Sequence, residues 1–150
     1  MMPADLDARV RHQVYSALAA SERAPSASLL TQVLGVDVAA VRAALERLHA
    51  DHALVLDGGT REVRMALPFS NVPTAYRVES AGRTWDANCA WDALGLVRLL
   101  GLRDAQVVDA GSPGRESRKL TVAEGQLVER DGVISFARPA WQWWDDIGFS

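Results

Sequence analysis

The sequence predicts an α+β fold in which three helices precede a strand-rich part that contains one further helix. Three observations predict it: apolar residues recur at helical spacing before residue 50, short apolar or alternating runs follow after residue 53, and Gly, Pro and Asp lie between these runs. Apolar residues make up 49% of the 150 residues and charged residues 23%, which is typical of a globular chain that can bury a core. We therefore expect a folded protein.

The first fifty residues carry three helix patterns. A second helix is expected from about residue 28 to Leu34, where Gly35 ends it, and Asp37 is placed to cap a third. The apolar positions of the first helix are Leu6, Val10, Val14 and Leu18, and those of the third are Val38, Val41, Leu45 and Leu48. Each set lies on one face of its helix, which is the pattern of an amphipathic helix.

A hairpin follows the third helix. Short strands are predicted at residues 54–56 and 63–65, joined by the turn-forming run Asp57-Gly58-Gly59-Thr60. Three helices followed by a hairpin is the order of a winged helix. We therefore predict a winged-helix-like three-helix domain over residues 1–66.

The remaining residues, 67–150, are predicted to form a second, mixed-strand domain. Strands are expected at residues 76–79, 84–85, 106–108, 119–122 and 133–136. One helix is expected to begin near Cys89 and to stop at Gly101. The aromatic run from Trp141 onward resembles the start of a further strand.

Charge and cysteine content limit the classes of function. The net charge is −3, so no overall positive field favours nucleic acid or an anionic membrane as a partner. The single cysteine cannot form an intrachain disulfide, which favours a reducing compartment. The N-terminus lacks a signal-peptide core and no run reaches membrane-spanning length, so we expect a cytoplasmic protein. The sequence assigns no oligomeric state.

Cys89 and Asp92 are the candidate reactive pair. If Cys89 opens a helix, the free amides of the first turn and the helix dipole favour its thiolate. Asp92 lies on the same face, close enough to exchange a proton with a group bound to the sulfur, although its charge opposes the effect of the dipole. The simpler interpretation is a small buried apolar residue followed by a favourable first-turn carboxylate.

The segment around this pair carries short motifs that point to one family. They are Pro68-Phe69-Ser70, Pro73-Thr74, Gly82-Arg83 and Cys89-Ala90-Trp91-Asp92. In this order, the segment resembles the alkylmercury lyases, the bacterial enzymes that cleave organomercurials. The resemblance extends more weakly through Leu120-Thr121-Val122, and the winged-helix-like part also fits the family.

The resemblance implies a mechanism and a set of roles. Family members hold the mercury with two cysteine thiolates, and a carboxylate helps to protonate the departing carbon. By motif, Cys89 is the first thiolate and mercury ligand, and Asp92 is the proton donor. Soft thiolates are the ligands that a soft metal prefers. No resident cofactor is implied, because the mercury belongs to a small-molecule organomercurial substrate.

The sequence departs from the family pattern at the second cysteine. Counting back from Leu120-Thr121-Val122 places that position at Gly111, and the nearby Asp109 and Ser112 are hard ligands that suit mercury poorly. We predict that a small cellular thiol or a second subunit supplies the second sulfur. The alternative is a catalytically impaired relative that binds or senses a metal or small ligand, for example as a winged-helix regulator. Family members also continue beyond the point where this chain stops, which predicts a shortened relative or a fragment.

Three other features suggest weaker candidates. A DNA-binding third helix would present Arg42, Glu46 and Arg47, but residues 1–50 hold five arginines and five acids, and a neutral domain is a poor DNA binder. The tryptophans fit a core better than a pocket, with Trp91 as the best pocket candidate. The three histidines lack metal-ligand spacing, which argues against a zinc site. They are His12, His49 and His52.

Overall fold

The computed structural model describes residues 3–111 and 114–147. In these residues the chain forms four α-helices, an eight-stranded antiparallel sheet and one 3-10 helix, so the α+β prediction is confirmed. The elements in chain order are α1 (Pro3–Ala19), α2 (Ala27–Leu34), α3 (Val38–Ala50), β1 (Val55–Leu56), β2 (Val63–Ala66), β3 (Phe69–Ser70), β4 (Tyr76–Ser80), β5 (Arg83–Ala87), α4 (Ala90–Leu99), β6 (Ala105–Asp109), β7 (Arg118–Ala123), β8 (Gln126–Leu127) and the 3-10 helix (Ala140–Asp145).

The signals at the ends of α2 and α3 act as predicted. Gly35 ends α2 with φ of 66°, and its backbone N–H donates to the Thr31 carbonyl. The Asp37 carboxylate caps α3 by accepting from the Ala40 N–H at 2.8 Å. The predicted apolar face of α3 is buried except at Val38, which is 46% exposed.

The hairpin β1–β2 joins the rest of the sheet. Asp57 orders its loop, because Asp57 Oδ1 accepts hydrogen bonds from the backbone N–H groups of Thr60 and Gly59. These hydrogen bonds lower the pKa of the Asp57 carboxyl. Strand β2 then pairs with β3, with Met65 opposite Ser70. The sheet is therefore continuous across residues 66 and 67, and the domain boundary there stays a prediction.

The strand order brings the ends of several strands together at one end of the sheet. The order is β1-β2-β3-β5-β4-β6-β7-β8. Ala87, at the end of β5, pairs with Phe69 on one side and Tyr76 on the other, and Tyr76 pairs in turn with Asp109 at the end of β6. The chain therefore leaves β5 and β6 at the same end of the sheet. Helix α4 packs against β3, β4, β5 and β6.

One cluster of buried apolar side chains links the N-terminal helices to this sheet. Trp85 on β5 is 5% exposed, and its Nε1 donates to the Ala19 carbonyl at the end of α1. Trp91 and Trp141 are 61% and 78% exposed. The core interpretation of the tryptophans is therefore correct for Trp85 and wrong for Trp141, while Trp91, the pocket candidate, is exposed and lines neither of the two cavities described below.

Phe69 is the largest fully buried side chain of the described residues, and it joins the two parts of the cluster. It is 2% exposed and meets the Tyr15 ring of α1 edge to face, with ring centroids 6.2 Å apart. We expect Phe69→Ala to lower the free energy of unfolding by about 3–5 kcal/mol because it removes a buried ring and leaves a cavity. Urea denaturation would measure this, with exposed Leu29→Ala as the control. Equal losses in both variants would contradict the prediction.

The C-terminal part corrects two sequence predictions. The predicted strand at residues 133–136 is absent, and Val133 is 97% exposed. Phe136 packs instead on Trp143 of the 3-10 helix, with ring centroids 4.8 Å apart. The segment predicted to start a strand at Trp141 is the 3-10 helix. Sequence analysis also missed the short strands β3 and β8.

Within the described residues, no single helix has the length and apolar character needed to cross a membrane. Helices α2 and α3 meet that criterion only when taken together, and the break between them is bent by 115°.

Candidate functional site

Cys89 stands at the first turn of α4, as the sequence predicted. Strand β5 ends at Ala87, and Cys89 has extended backbone angles and caps the helix. Its Sγ accepts a hydrogen bond from the Asp92 N–H at 3.4 Å, and its carbonyl accepts from the Ala93 N–H at 3.0 Å. The sulfur is therefore held by the helix start, and the side chain is a half-buried free thiol.

The protonation of Cys89 differs from the sequence expectation. Burial is the largest influence and raises the pKa of the Cys89 thiol, and the nearby Asp92 carboxylate raises it further. Hydrogen bonds from the backbone N–H groups of Trp91 and Asp92 lower the pKa, but the net direction is upward. The amides of the helix start act in the predicted direction, and so does the opposing charge of Asp92, but desolvation outweighs the amide hydrogen bonds in the unliganded site.

Asp92 is a half-buried carboxyl directly beside this thiol. Burial raises its pKa, while hydrogen bonds with the side chains of Asn88 and Cys89 lower it, and burial dominates. A carboxyl with a raised pKa keeps its proton to higher pH, which is the property of a general acid. The structure thus brings together a thiol and a carboxyl of raised pKa within one turn of helix.

Asn88 contacts this pair, and the sequence analysis did not single it out. Its Nδ2 donates to Asp92 Oδ2 at 3.2 Å and to the carbonyls of Pro68 and Phe69 at 3.4 and 3.3 Å. The only sequence signal was its position directly before Cys89. The importance of an amide at that position depends on Pro68 and Phe69, which lie about twenty residues earlier and reach it only through the sheet.

Gly111 lies at the same end of the sheet as Cys89. Cys89 lies two residues after the end of β5, and Gly111 lies two residues after the end of β6. These strand ends lie on either side of Tyr76 in β4, so they are two strand spacings apart, about 10 Å. Gly111 has φ of 75°, and a Cβ there would lie 2.4 Å from the Arg115 carbonyl oxygen. In this loop conformation no side chain, including that of cysteine, fits at Gly111.

An ion pair and several hydrogen bonds hold the loop after β6 in place. Arg115 forms an ion pair with Asp109 and donates to the Tyr76 hydroxyl at 3.1 Å, and Asp109 Oδ1 also accepts from the Gly111 N–H at 2.9 Å. Asp109 is therefore already engaged by a guanidinium. Ser112, the other hard ligand considered for this loop, lies outside the described residues.

Gly111→Cys tests whether a second thiol can be introduced by substitution at this position. We expect the variant to lose about 2 kcal/mol or more of stability, because a side chain is strained at positive φ and collides with the Arg115 carbonyl. Gly114→Cys is the matched control, since Gly114 also has positive φ, of 83°, but has no atom within 4 Å of its added Cβ. Thermal unfolding under reducing conditions would compare the two, and equal losses would contradict the predicted collision.

Neither of two cavities in the described chain is lined by Cys89 or Asp92. One, of about 120 Å³, lies between the end of α1 and the strands β3 and β5. The other, of about 300 Å³, lies between α4 and the β7–β8 edge. Cys89 and Asp92 are both partly exposed. Across residues 3–111 and 114–147, no cluster of three or more His, Cys, Asp or Glu side chains could hold a metal ion.

A family model described as alkylmercury lyase matches residues 69–149, which is more than half of the chain and includes Cys89, Asp92 and Gly111. The chain belongs to the alkylmercury lyase family. The resemblance inferred from the Cys89-Ala90-Trp91-Asp92 motif is thereby confirmed at the level of the family. A search of curated proteins gave no match.

Among solved structures, the chain is similar to the crystal structure of the mercury-bound form of MerB2. The TM-score is 0.60 and the identity is 21%, over 80% of this chain and 58% of that one. At this identity the likeness shows a shared alkylmercury lyase fold. The chain spans less than two thirds of the length of that structure's chain.

The outward face of α3 is less positive than its arginines suggest. Arg47 forms a bidentate ion pair with Asp7 of α1, and Glu46 pairs with Arg61 of the hairpin loop. Two of the three side chains considered for DNA contact are thus engaged within the protein. This arrangement adds to the charge argument against nucleic acid as a partner.

Proposed function

We propose that this alkylmercury lyase family member cleaves the carbon–mercury bond of organomercurials by protonolysis. In this proposal Cys89 is the thiolate that binds mercury and Asp92 is the proton donor. The observation that carries the proposal is the contact between the Cys89 sulfur and the Asp92 carboxyl, two half-buried groups at the start of α4. The family match over this segment supports the same assignment.

The chemistry is redox-neutral. The Cys89 sulfur binds the mercury of R–Hg–X, X⁻ leaves, and the thiol proton passes to Asp92 or to solvent. A second thiolate then adds to the mercury and increases the electron density on carbon. The carbon–mercury bond breaks with its electron pair on carbon, which takes the Asp92 proton and leaves as R–H. Mercury(II) stays bound to two sulfurs and is later released to thiols.

The second sulfur comes, in this proposal, from a small cellular thiol. Cys89 is the only cysteine of the chain, and the loop at Gly111 has no room for a side chain. Because Cys89 is only half-buried and lines neither cavity, a small thiol can reach its sulfur from the surface. The reducing cytoplasm that we propose as the setting would supply such a thiol.

The test is hydrocarbon release from a phenylmercury compound with and without excess glutathione. We expect protein-dependent benzene release that requires the thiol. Benzene release at the rate of glutathione alone would overturn the lyase assignment. Release that does not change when glutathione is omitted would instead overturn the external second sulfur.

A binding or sensing role is the second candidate. It is favoured by one observation, the absence of room for a second thiolate at Gly111, since one sulfur suffices for capture but not for protonolysis. A binding protein would take up one equivalent of phenylmercury through Cys89 and release no benzene. Mass spectrometry of the adduct together with the benzene assay separates the two functions.

The N-terminal part has a supporting role in this proposal. We infer that residues 1–66 form a winged-helix-like domain and residues 67–150 the lyase-like domain. The order of three helices and a hairpin supports the first assignment. Buried contacts such as Phe69 with Tyr15 indicate that the helices stabilise the sheet that holds Cys89.

A further inference from the structure

Asn88 connects the start of α4 to the segment that leads into β3. Its side-chain amide has three oxygen acceptors within 3.4 Å, namely Asp92 Oδ2 and the carbonyls of Pro68 and Phe69. Gly95 of α4 lies over the same segment, where an added Cβ would come within 3.8 Å of the Pro68 side chain. The amide therefore bonds the proton donor to the backbone against which the helix packs.

The orientation of the Asn88 amide is determined by these acceptors. In the described residues its Oδ1 is buried and has no hydrogen-bond partner, which is unfavourable for a carbonyl-type oxygen. A flipped amide would place that oxygen against three other oxygens, so the observed orientation is the only one that satisfies them. The side chain thus leaves one polar atom unsatisfied while it donates to Asp92.

We propose that Asn88 is a positioning residue that holds the Asp92 carboxyl for proton transfer. This inference rests on the proposed function and deepens it. The Asn88 side-chain N–H donates to Asp92 Oδ2, so Oδ2 is favoured as the carbonyl oxygen of the protonated carboxyl. The transferable proton then lies on Oδ1. Without the amide, the carboxyl would be free to rotate, and its proton would lie on either oxygen with no preference.

Few other groups act on this carboxyl. Strands β3, β4, β5 and β6 pack against α4, and no charged side chain from them shifts the pKa of Asp92. In the described part of the chain, the side chains that act on it are Asn88 and the titratable Cys89, and both stabilise its ionised form by hydrogen bonding. Asn88 is therefore the amide donor on which the orientation of this carboxyl depends in the described residues.

The test is a double-mutant cycle on the unfolding of the full chain without mercury, followed by urea denaturation at neutral pH. We expect the losses of stability in Asn88→Ala and Asp92→Ala to be non-additive, because each substitution removes the same hydrogen bond between the two side chains. Asn71→Ala is the matched control, since in the described residues the Asn71 amide bonds to the backbone of Ala24 and Val63. Its loss should add to that of Asp92→Ala.

Turnover gives the second measurement. If the chain releases benzene, Asn88→Ala should reduce kcat about tenfold or more with little change in KM, because substrate binding depends on Cys89. Additive losses for Asn88→Ala and Asp92→Ala would overturn the positioning role, whatever the benzene assay shows. Non-additive losses in a chain without turnover would keep the Asn88 contact to Asp92 and overturn only the proposed function.

Discussion

Replacing Cys89 with serine is expected to abolish benzene release from phenylmercury and the stable capture of mercury by the chain. Serine presents a hard oxygen that has little affinity for a soft metal, and no second cysteine is present to replace it. Turnover should fall to the rate of glutathione alone, a loss on the order of 10³-fold or more for a lost nucleophile. Benzene release and mass spectrometry of the mercury adduct measure the two effects separately.

The same substitution should leave the fold intact. Cys89 caps α4 through its side chain, and serine is a better N-cap residue than cysteine because its hydroxyl accepts readily from a backbone N–H. The thermal midpoint of Cys89→Ser should therefore equal or exceed that of the wild-type chain. Benzene release by a stable Cys89→Ser variant at the wild-type rate would show that the reaction does not use this sulfur.

Replacing Asp92 with asparagine is expected to separate capture from cleavage. The amide cannot deliver a proton as the carboxylic acid does, so benzene release should fall by about 10²–10⁴-fold, the usual contribution of a general acid. Cys89 remains, so one equivalent of phenylmercury should still bind. Asp86→Asn, three residues before Cys89 on β5, is the control and should retain turnover. Wild-type turnover in Asp92→Asn would remove Asp92 from the mechanism.

The stability of Asp92→Asn should depend on pH in a defined direction. Burial raises the folded-state pKa of Asp92 above its unfolded value, so ionisation of this carboxyl opposes folding. The cost is absent at pH values below the unfolded pKa, about pH 4, grows as the pH rises through it, and is complete above the folded pKa. The variant should therefore gain stability relative to wild type between acid and neutral pH. Urea denaturation at several pH values measures this difference, and a gain confined to low pH would contradict it.

The sequence predicted the local structure wherever short-range chemistry decides it. Gly35 ends α2 because it tolerates a left-handed conformation, and Asp37 starts α3 because its carboxylate satisfies a free N–H. Both depend on residues within one turn of helix. The motif around Cys89 also identified the family, since it lies in one continuous segment that needs no tertiary contact to be recognised.

Sequence patterns failed where the environment decides between alternatives. Residues 133–136 are mostly apolar and were predicted as a strand, but in the described chain they join no sheet and Phe136 packs on Trp143. The amides at the helix start favour the Cys89 thiolate as predicted, but burial outweighs them. Burial and strand pairing result from the whole fold, so no local pattern contains them.

For the site itself, the sequence alone determined that a thiol and a carboxylate share the first turn of a helix and that the chain has no second cysteine. Tertiary structure alone decided the rest. It brought the carbonyls of Pro68 and Phe69 to Asn88. It also placed Gly111 at the same end of the sheet as Cys89, with its Cα facing the Arg115 carbonyl. The physical reason is the strand order β3-β5-β4-β6, in which hydrogen bonds between strands place side by side segments that are far apart in sequence and so set the space open to each side chain.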